Sequence, residues 1–164
     1  MRLMYSPDDE SYPMSLEEKQ PEPRITVLDD DKRHILVIND TQEILELFRE
    51  LLEDEGYRVT LSSFAMQEIR DVVALAPDLV ILDFIIGGEA HGWQMLQKMK
   101  MNRATATIPV IVCTAALQLV REIEGHLRAK DVLVVLKPFD IDDLLEAVSL
   151  ALSKLAQDCA EERV

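Results

Sequence analysis

The chain has 164 residues, 48% hydrophobic, 29% charged and only 5% aromatic, a balance that suits one domain with an aliphatic α/β core plus a tail. A formal net charge of −14 argues against direct binding of nucleic acid, because phosphate contacts need clustered Lys and Arg. No apolar stretch is long enough to span a membrane and the first residues carry no secretory signal, so no membrane association and a cytoplasmic location are expected.

Residues 1–33 hold four of the seven prolines (Pro7, Pro13, Pro21, Pro23) and nine acids against five bases. This composition predicts a flexible N-terminal tail. Within it, "ITVLDDD" (Ile25 to Asp31) also reads as a strand ending in acids. Taking it as the first core strand would force "HILVI" into a helix, against its β-branched content, so it is assigned to the tail.

From His34 onward apolar runs recur: Ile35–Ile38, Arg58–Leu61, Leu79–Leu82, Val110–Val112 and Val132–Leu136. Helical patterns separate them. Ile44, Leu47, Phe48, Leu51 and Leu52 keep a 3.6 period up to Gly56, a good stop. Phe64–Leu75, Trp93–Met101 and Ala115–Leu127 follow, the last with Gly125 weakening its end. Asp140 caps a final helix on which Ile141, Leu144, Leu145, Val148, Leu152 and Leu155 form one face. Alternating strands and helices with unbroken apolar strands predict a doubly wound α/β domain, a five-stranded parallel sheet covered on both faces. It spans residues 34–155, followed by a short C-terminal tail at 156–164, with no internal repeat and no room for a second domain.

In such sheets ligands bind at the carboxyl ends of the strands. Those ends carry Asn39-Asp40, Asp83, Thr114 and Lys137-Pro138. Two neighbouring carboxylates repel unless a cation joins them, and oxygen donors of this kind suit Mg²⁺. Asp83 has the chemistry of a nucleophile that forms an aspartyl-phosphate. Lys137 and the cation would stabilise the charge on the transferred group, and Thr114 would donate to a phosphate oxygen. Each residue also has a plain reading: Asp40 as a helix cap, Lys137 as a surface lysine beside a turn proline, Thr114 as a strand-end hydroxyl. Their joint occurrence at four strand ends is more specific than any one of them.

The segments "ILVINDTQEI", "PDLVILDF", "IPVIVCTAA" and "VVLKPF" resemble a response-regulator receiver domain of two-component signalling, over about residues 34–155. The resemblance implies a flavodoxin-like (βα)₅ fold with strand order 2-1-3-4-5. It implies that Asp83 takes phosphate from a histidine kinase or phosphotransfer protein, and that Asp40, Asp83 and the backbone carbonyl of Ile85 hold Mg²⁺, with Asn39 a weak or water-mediated contributor. Thr114 would move toward the phosphate and Lys137 would pair with it. The Lys137-Pro138 bond is often cis in the family. The protein would be a phosphoacceptor and not an enzyme, acting as a stand-alone receiver through contact with a downstream protein or through a homodimer.

The chain departs from the family pattern in four places. Asn39 stands where an acid is usual. The loop "DFIIGGEAHGW" has Gly87 in place of the proline four residues after the acceptor and is about one residue longer than the family pattern. Val134 replaces the switch aromatic. Ile85 and Ala116, both apolar, occupy the positions that tune dephosphorylation. Asn39 and Val134 support an alternative, a pseudo-receiver that binds partners without phosphorylation; Asp83, Thr114 and Lys137 oppose it. A haloacid-dehalogenase-type hydrolase would want an acid at Ile85, and a flavin-binding flavodoxin a Ser/Thr/Gly-rich first loop.

The remaining candidates have plainer roles. His91 reads as a loop histidine and Trp93 as the half-buried start of the third helix. Met95, Met99 and Met101 read as core and surface filler. Cys113 and Cys159 fall in no metal or redox spacing, and Cys113 is expected in the core.

Overall fold

The structure, a computed structural model, describes residues 31–63 and 69–161. The expected tail therefore lies outside the described residues apart from Asp31–Arg33, as does the Ile25–Asp30 part of "ITVLDDD".

Five strands and five helices alternate: β1 His34–Ile38, α1 Gln42–Asp54, β2 Arg58–Ser62, α2 Ile69–Leu75, β3 Leu79–Leu82, α3 His91–Met101, β4 Val110–Thr114, α4 Leu117–Ala129, β5 Leu133–Leu136 and α5 Ile141–Glu161. All pairings are parallel and the order is β2-β1-β3-β4-β5, as the resemblance implied. The register sets Ile38 beside Leu82 and Thr114 beside Leu136, so the strand ends that carry polar residues lie along one edge.

Side-chain alternation in the strands supplies two cores. Ile35, Val37, Ile81, Ile111, Cys113 and Val135 pack against Leu45, Phe48, Leu52, Leu144 and Val148 of α1 and α5. Leu36, Ile38, Val80, Leu82, Val110 and Val112 pack against Val72, Met95, Leu96, Met99 and Leu127 of α2, α3 and α4. Both faces being covered explains the unbroken apolar runs of the inner strands, Ile35–Ile38, Leu79–Leu82 and Val110–Cys113, whereas the edge strand β2 is only partly buried and carries Arg58 and Thr60. Met101 is 83% exposed while Met95 and Met99 are buried, the expected mixture of surface and core filler.

Several bounds differ from expectation. In α1, Leu45 is buried and Leu47 is 39% exposed, so the helix turns a slightly different face to the sheet. Ile141 is likewise 46% exposed at the start of α5. The α4 helix runs through Gly125 to Ala129; a β-carbon there would meet open space, and one mid-helix glycine costs only about 1 kcal/mol. The last helix continues to Glu161, past the expected start of the C-terminal tail at 156. Helix α2 is described only from Ile69; residues 64–68 of the expected Phe64–Leu75 helix lie outside the described residues. His91 is the first residue of α3 and not a loop residue, so the helix starts two positions before the half-buried Trp93.

Candidate functional site

Asp83 follows β3 and is held by its own backbone, its N–H donating to the Ile38 carbonyl of β1 at 3.2 Å. Its carboxylate is only 12% exposed and both oxygens are engaged. Lys137 Nζ donates to Oδ2 at 2.8 Å and the Ile85 N–H donates to Oδ1 at 3.1 Å. Lys137 is aimed by the sheet: its backbone N–H donates to the Thr114 carbonyl at 3.0 Å, which ties the end of β5 to the end of β4. The Lys137–Pro138 peptide is cis, as the resemblance implied. Shielding from water raises the Coulomb attraction of such a pair above that of a surface pair, and desolvation of both groups offsets part of the gain.

Thr114 is buried, and its hydroxyl oxygen accepts the Ala116 N–H at 3.2 Å, shaping the turn into α4. Beside it, burial pushes the Cys113 thiol up to about 11, with the Lys137 charge working downward and Asp83 upward. Cys113 is thus an unreactive core thiol next to the site, matching its expected core role.

Asn39 and Asp40 close β1. Asn39 is buried, and its Oδ1 accepts the Thr41 N–H at 2.8 Å, an Asx turn that leads into α1. Asp40 does not cap that helix: the N-cap residue is Thr41, and no side chain caps there. Instead Asp40 Oδ2 accepts the Gly87 N–H at 2.8 Å, across from β1 to the loop after β3. Its Oδ1 has, among the described residues, a long contact of 3.4 Å from the Thr41 hydroxyl.

The β3–α3 loop contains a miniature hairpin. Ile86 N–H donates to the Glu89 carbonyl at 2.9 Å and Glu89 N–H to the Ile86 carbonyl at 3.2 Å. Gly87 and Gly88 form its tip with φ of 63° and 79°, the left-handed pair that a two-residue type I′ turn requires. Ile86 is buried and anchors the stem, whereas Ile85 is exposed beside Asp83.

Sequence reasoning missed Gly92. Its N–H donates to the Phe84 carbonyl at 3.1 Å, and a β-carbon at this position would overlap the Asp83 carbonyl oxygen. Only glycine lets α3 start flush against the backbone of Asp83. The available signal was a glycine at a helix start, where propensity disfavours it. Trp93, next in line, packs edge-on against Phe84 with ring centroids 5.8 Å apart.

Of the predicted site residues, Asp83 and Lys137 are in direct contact, and Thr114 joins them through the backbone. Asp40 reaches the same loop through Gly87, and Asn39 turns its oxygen into its own turn. Val134 is half-buried and lines a groove of about 410 Å³ between α4 and β5, with Leu117, Val120 and Leu127. Among the described residues no group of three or more His, Cys, Asp or Glu gathers. The donor set, an exposed Asp40 carboxylate and a part-buried Asp83 carboxylate with no Cys or His gathered beside them, offers hard oxygens that fit Mg²⁺ with its waters and do not fit a Cys/His zinc site.

A family model described as "Response regulator receiver domain" matches residues 35–149. Among curated relatives, the DNA-binding dual master transcriptional regulator RpaA of Synechocystis sp. is 32% identical over 120 residues, 73% of this chain and 49% of the relative. Sporulation initiation phosphotransferase F of Bacillus subtilis is 31% identical over 114 residues, 70% of this chain and 89% of the relative. The chain spans about half the length of the transcriptional regulators it matches. Among solved structures, a CheY-like receiver domain protein from Methanospirillum hungatei JF-1 superposes with a TM-score of 0.67 at 23% identity, covering 77% of this chain and 98% of that one. The receiver domain of sensor histidine kinase PA1611 from Pseudomonas aeruginosa, with a magnesium ion in its active-site cleft, gives 0.63 at 24% identity, covering 74% and 98%.

Proposed function

The chain belongs to the response-regulator receiver family of two-component signalling, and from that premise we propose that it is a phosphorylatable switch with Asp83 as its phosphoacceptor. The observation that carries this reading is the Asp83–Lys137 pair: a carboxylate held by strand end and loop, with an ammonium 2.8 Å from one oxygen.

In the proposed reaction an Asp83 oxygen attacks the phosphorus of a phosphohistidine on a kinase or phosphotransfer protein. The phosphorus–nitrogen bond breaks, and the histidine nitrogen leaves with the bonding pair. Lys137 then pairs with phosphoryl oxygens that carry more negative charge than the carboxylate did. The Ile85 N–H is already aimed at the reacting carboxylate. The Thr114 hydroxyl, now an acceptor for Ala116, would turn to donate to the phosphoryl group, pulling on the start of α4. Asp40, Asp83 and the Ile85 carbonyl would hold Mg²⁺, with Asn39 contributing through water. When bound, that ion neutralises charge on the reacting oxygens. The protein would act as a phosphoacceptor and not as an enzyme on an external substrate.

The output is proposed to be protein contact in the cytoplasm, with a downstream protein or within a homodimer. Among the described residues no helix is long and apolar enough to cross a membrane. The charge of −14 supports a protein partner over nucleic acid for this segment. The match to 89% of sporulation initiation phosphotransferase F supports a protein partner, whereas the longer relative RpaA is named for binding DNA.

Intact mass after incubation with a small-molecule phosphodonor and Mg²⁺ tests the reading. Wild type is expected to gain one phosphoryl group and Asp83→Asn none. An unmodified wild type would favour the pseudo-receiver, which the buried, turn-engaged Asn39 supports.

A further inference from the structure

We propose that Asp40 and Gly87 form a cation-sensitive latch, in which Mg²⁺ and the Gly87 N–H compete for one carboxylate. The proposal rests on the reading of the site given above and adds a regulatory consequence to it. Gly87 lies four residues after Asp83, and unlike a proline it has an N–H to donate. That N–H meets Asp40 Oδ2 at 2.8 Å.

The bond links the metal-side acid of β1 to the tip of the β3–α3 hairpin. An N–H is the positive end of a dipole, so a cation drawn to the Asp40 carboxylate meets a like-signed neighbour on the same group. Each weakens the other, and linkage makes the effect reciprocal: the factor by which the latch lowers cation affinity is the factor by which the cation loosens the latch.

The hairpin is built to give way only at its tip. Ile86 is buried at 4% exposure and is cross-bonded to Glu89 in both directions, so the stem stays in place. Gly87 and Gly88 are exposed, and glycines leave those positive φ values at little cost. Cation occupancy at the cleft is thereby displayed as the position of a two-glycine tip on the outer surface, where a partner can read it.

The test is Mg²⁺ titration of the full chain with ¹⁵N amide spectra and amide hydrogen exchange, paired with calorimetry on two variants. At saturation the Gly87 amide is expected to exchange about fivefold faster while Ile86 and Glu89 keep their protection. Gly87→glycolate, a backbone ester that deletes the donor and leaves the φ of 63° accessible, should bind Mg²⁺ about fivefold tighter, equivalent to about 1 kcal/mol. Gly88→Ala strains the same turn, since its φ is 79°, but keeps the Gly87 N–H, and should bind as wild type does. Saturable shifts at the Asp83 amide with unchanged Gly87 exchange would overturn the latch and leave the reading of the site standing. Equal tightening by both variants would also overturn it, by assigning the effect to the turn. Absence of any saturable shift at Asp83 would remove both.

Discussion

Lys137 Nζ stands 2.8 Å from Asp83 Oδ2, and the two side chains are 20% and 12% exposed. They come from strands that are not neighbours, β3 and β5, so the bond spans β4, whose Thr114 carbonyl also holds the Lys137 backbone. A change of charge at Asp83 would act on Lys137, whose backbone is bonded to the end of β4.

Lys137→Ala is expected to leave a folded protein that no longer couples the site to β4 and β5. Attraction between unit charges at about 4 Å is worth roughly 1–4 kcal/mol between water-like and surface-like dielectric, and the phosphorylated carboxylate carries more charge than the free one. Beryllofluoride, a stand-in for the phosphoryl group, should shift amides of β4 and β5 in wild type and leave them in place in the variant. Equal shifts in both proteins would show that Lys137 does not carry the signal.

Asn39→Asp is expected to tighten Mg²⁺ binding by about tenfold, or about 1.4 kcal/mol. One oxygen of the new carboxylate can keep the Thr41 N–H, now 2.8 Å from Asn39 Oδ1. The other replaces an amide NH₂ that a cation cannot use. Asn39 is 3% exposed, so without metal the added charge should cost about 1–2 kcal/mol in desolvation and repulsion. Calorimetric titration and urea unfolding with and without Mg²⁺ check both halves. Unchanged affinity would place residue 39 away from the ion.

Hydrolysis of the proposed aspartyl-phosphate needs a water in line with the phosphorus. Ile85 is 36% exposed beside Asp83, and Ala116 flanks Thr114; neither side chain can hydrogen-bond that water. Ile85→Asn is expected to speed loss of the phosphoryl group about tenfold, the effect of roughly 1.4 kcal/mol in the transition state. Decay followed by intact mass measures it, and equal half-lives would refute the role given to Ile85.

The sheet was legible because burial on both faces leaves a strand no choice but an apolar run, as at Leu79–Leu82. The phase of α1 was not. Ile44, Leu45, Leu47, Phe48, Leu51 and Leu52 cover more than one face, and only docking on the sheet selects Leu45 over Leu47. Asp83 and Lys137 were legible as polar residues where apolar runs stop. The partner of Asp40 was not, because it depends on the path of the β3–α3 loop. That path is set by the positive φ of Gly87 and Gly88 and by the close approach of Gly92 to Asp83. The same glycine reads as a helix breaker in sequence, which is why His91 looked like a loop residue.

His34 opens β1 at the end of the sheet away from the site, and it makes stability depend on pH. Its ring is buried at 4% exposure and Nε2 pairs with the Thr60 hydroxyl at 2.7 Å. Burial lowers its pKa below 6.5, and the Arg58 charge adds to this; the Leu75 carbonyl and Asp78 carboxylate oppose it without prevailing. The unfolded chain therefore takes up the proton more readily than the folded one. Above about pH 6.5 the histidine is neutral in both states and contributes no pH dependence. As pH falls from there toward the lower folded value the folded state loses ground, and below that value the loss is complete and constant. His34→Gln keeps a group able to bond Thr60 but removes the titration. Urea midpoints from pH 8 to pH 5 should fall more steeply in wild type than in the variant, the difference opening below about pH 6.5. Parallel curves would mean that His34 takes up its proton equally well in both states.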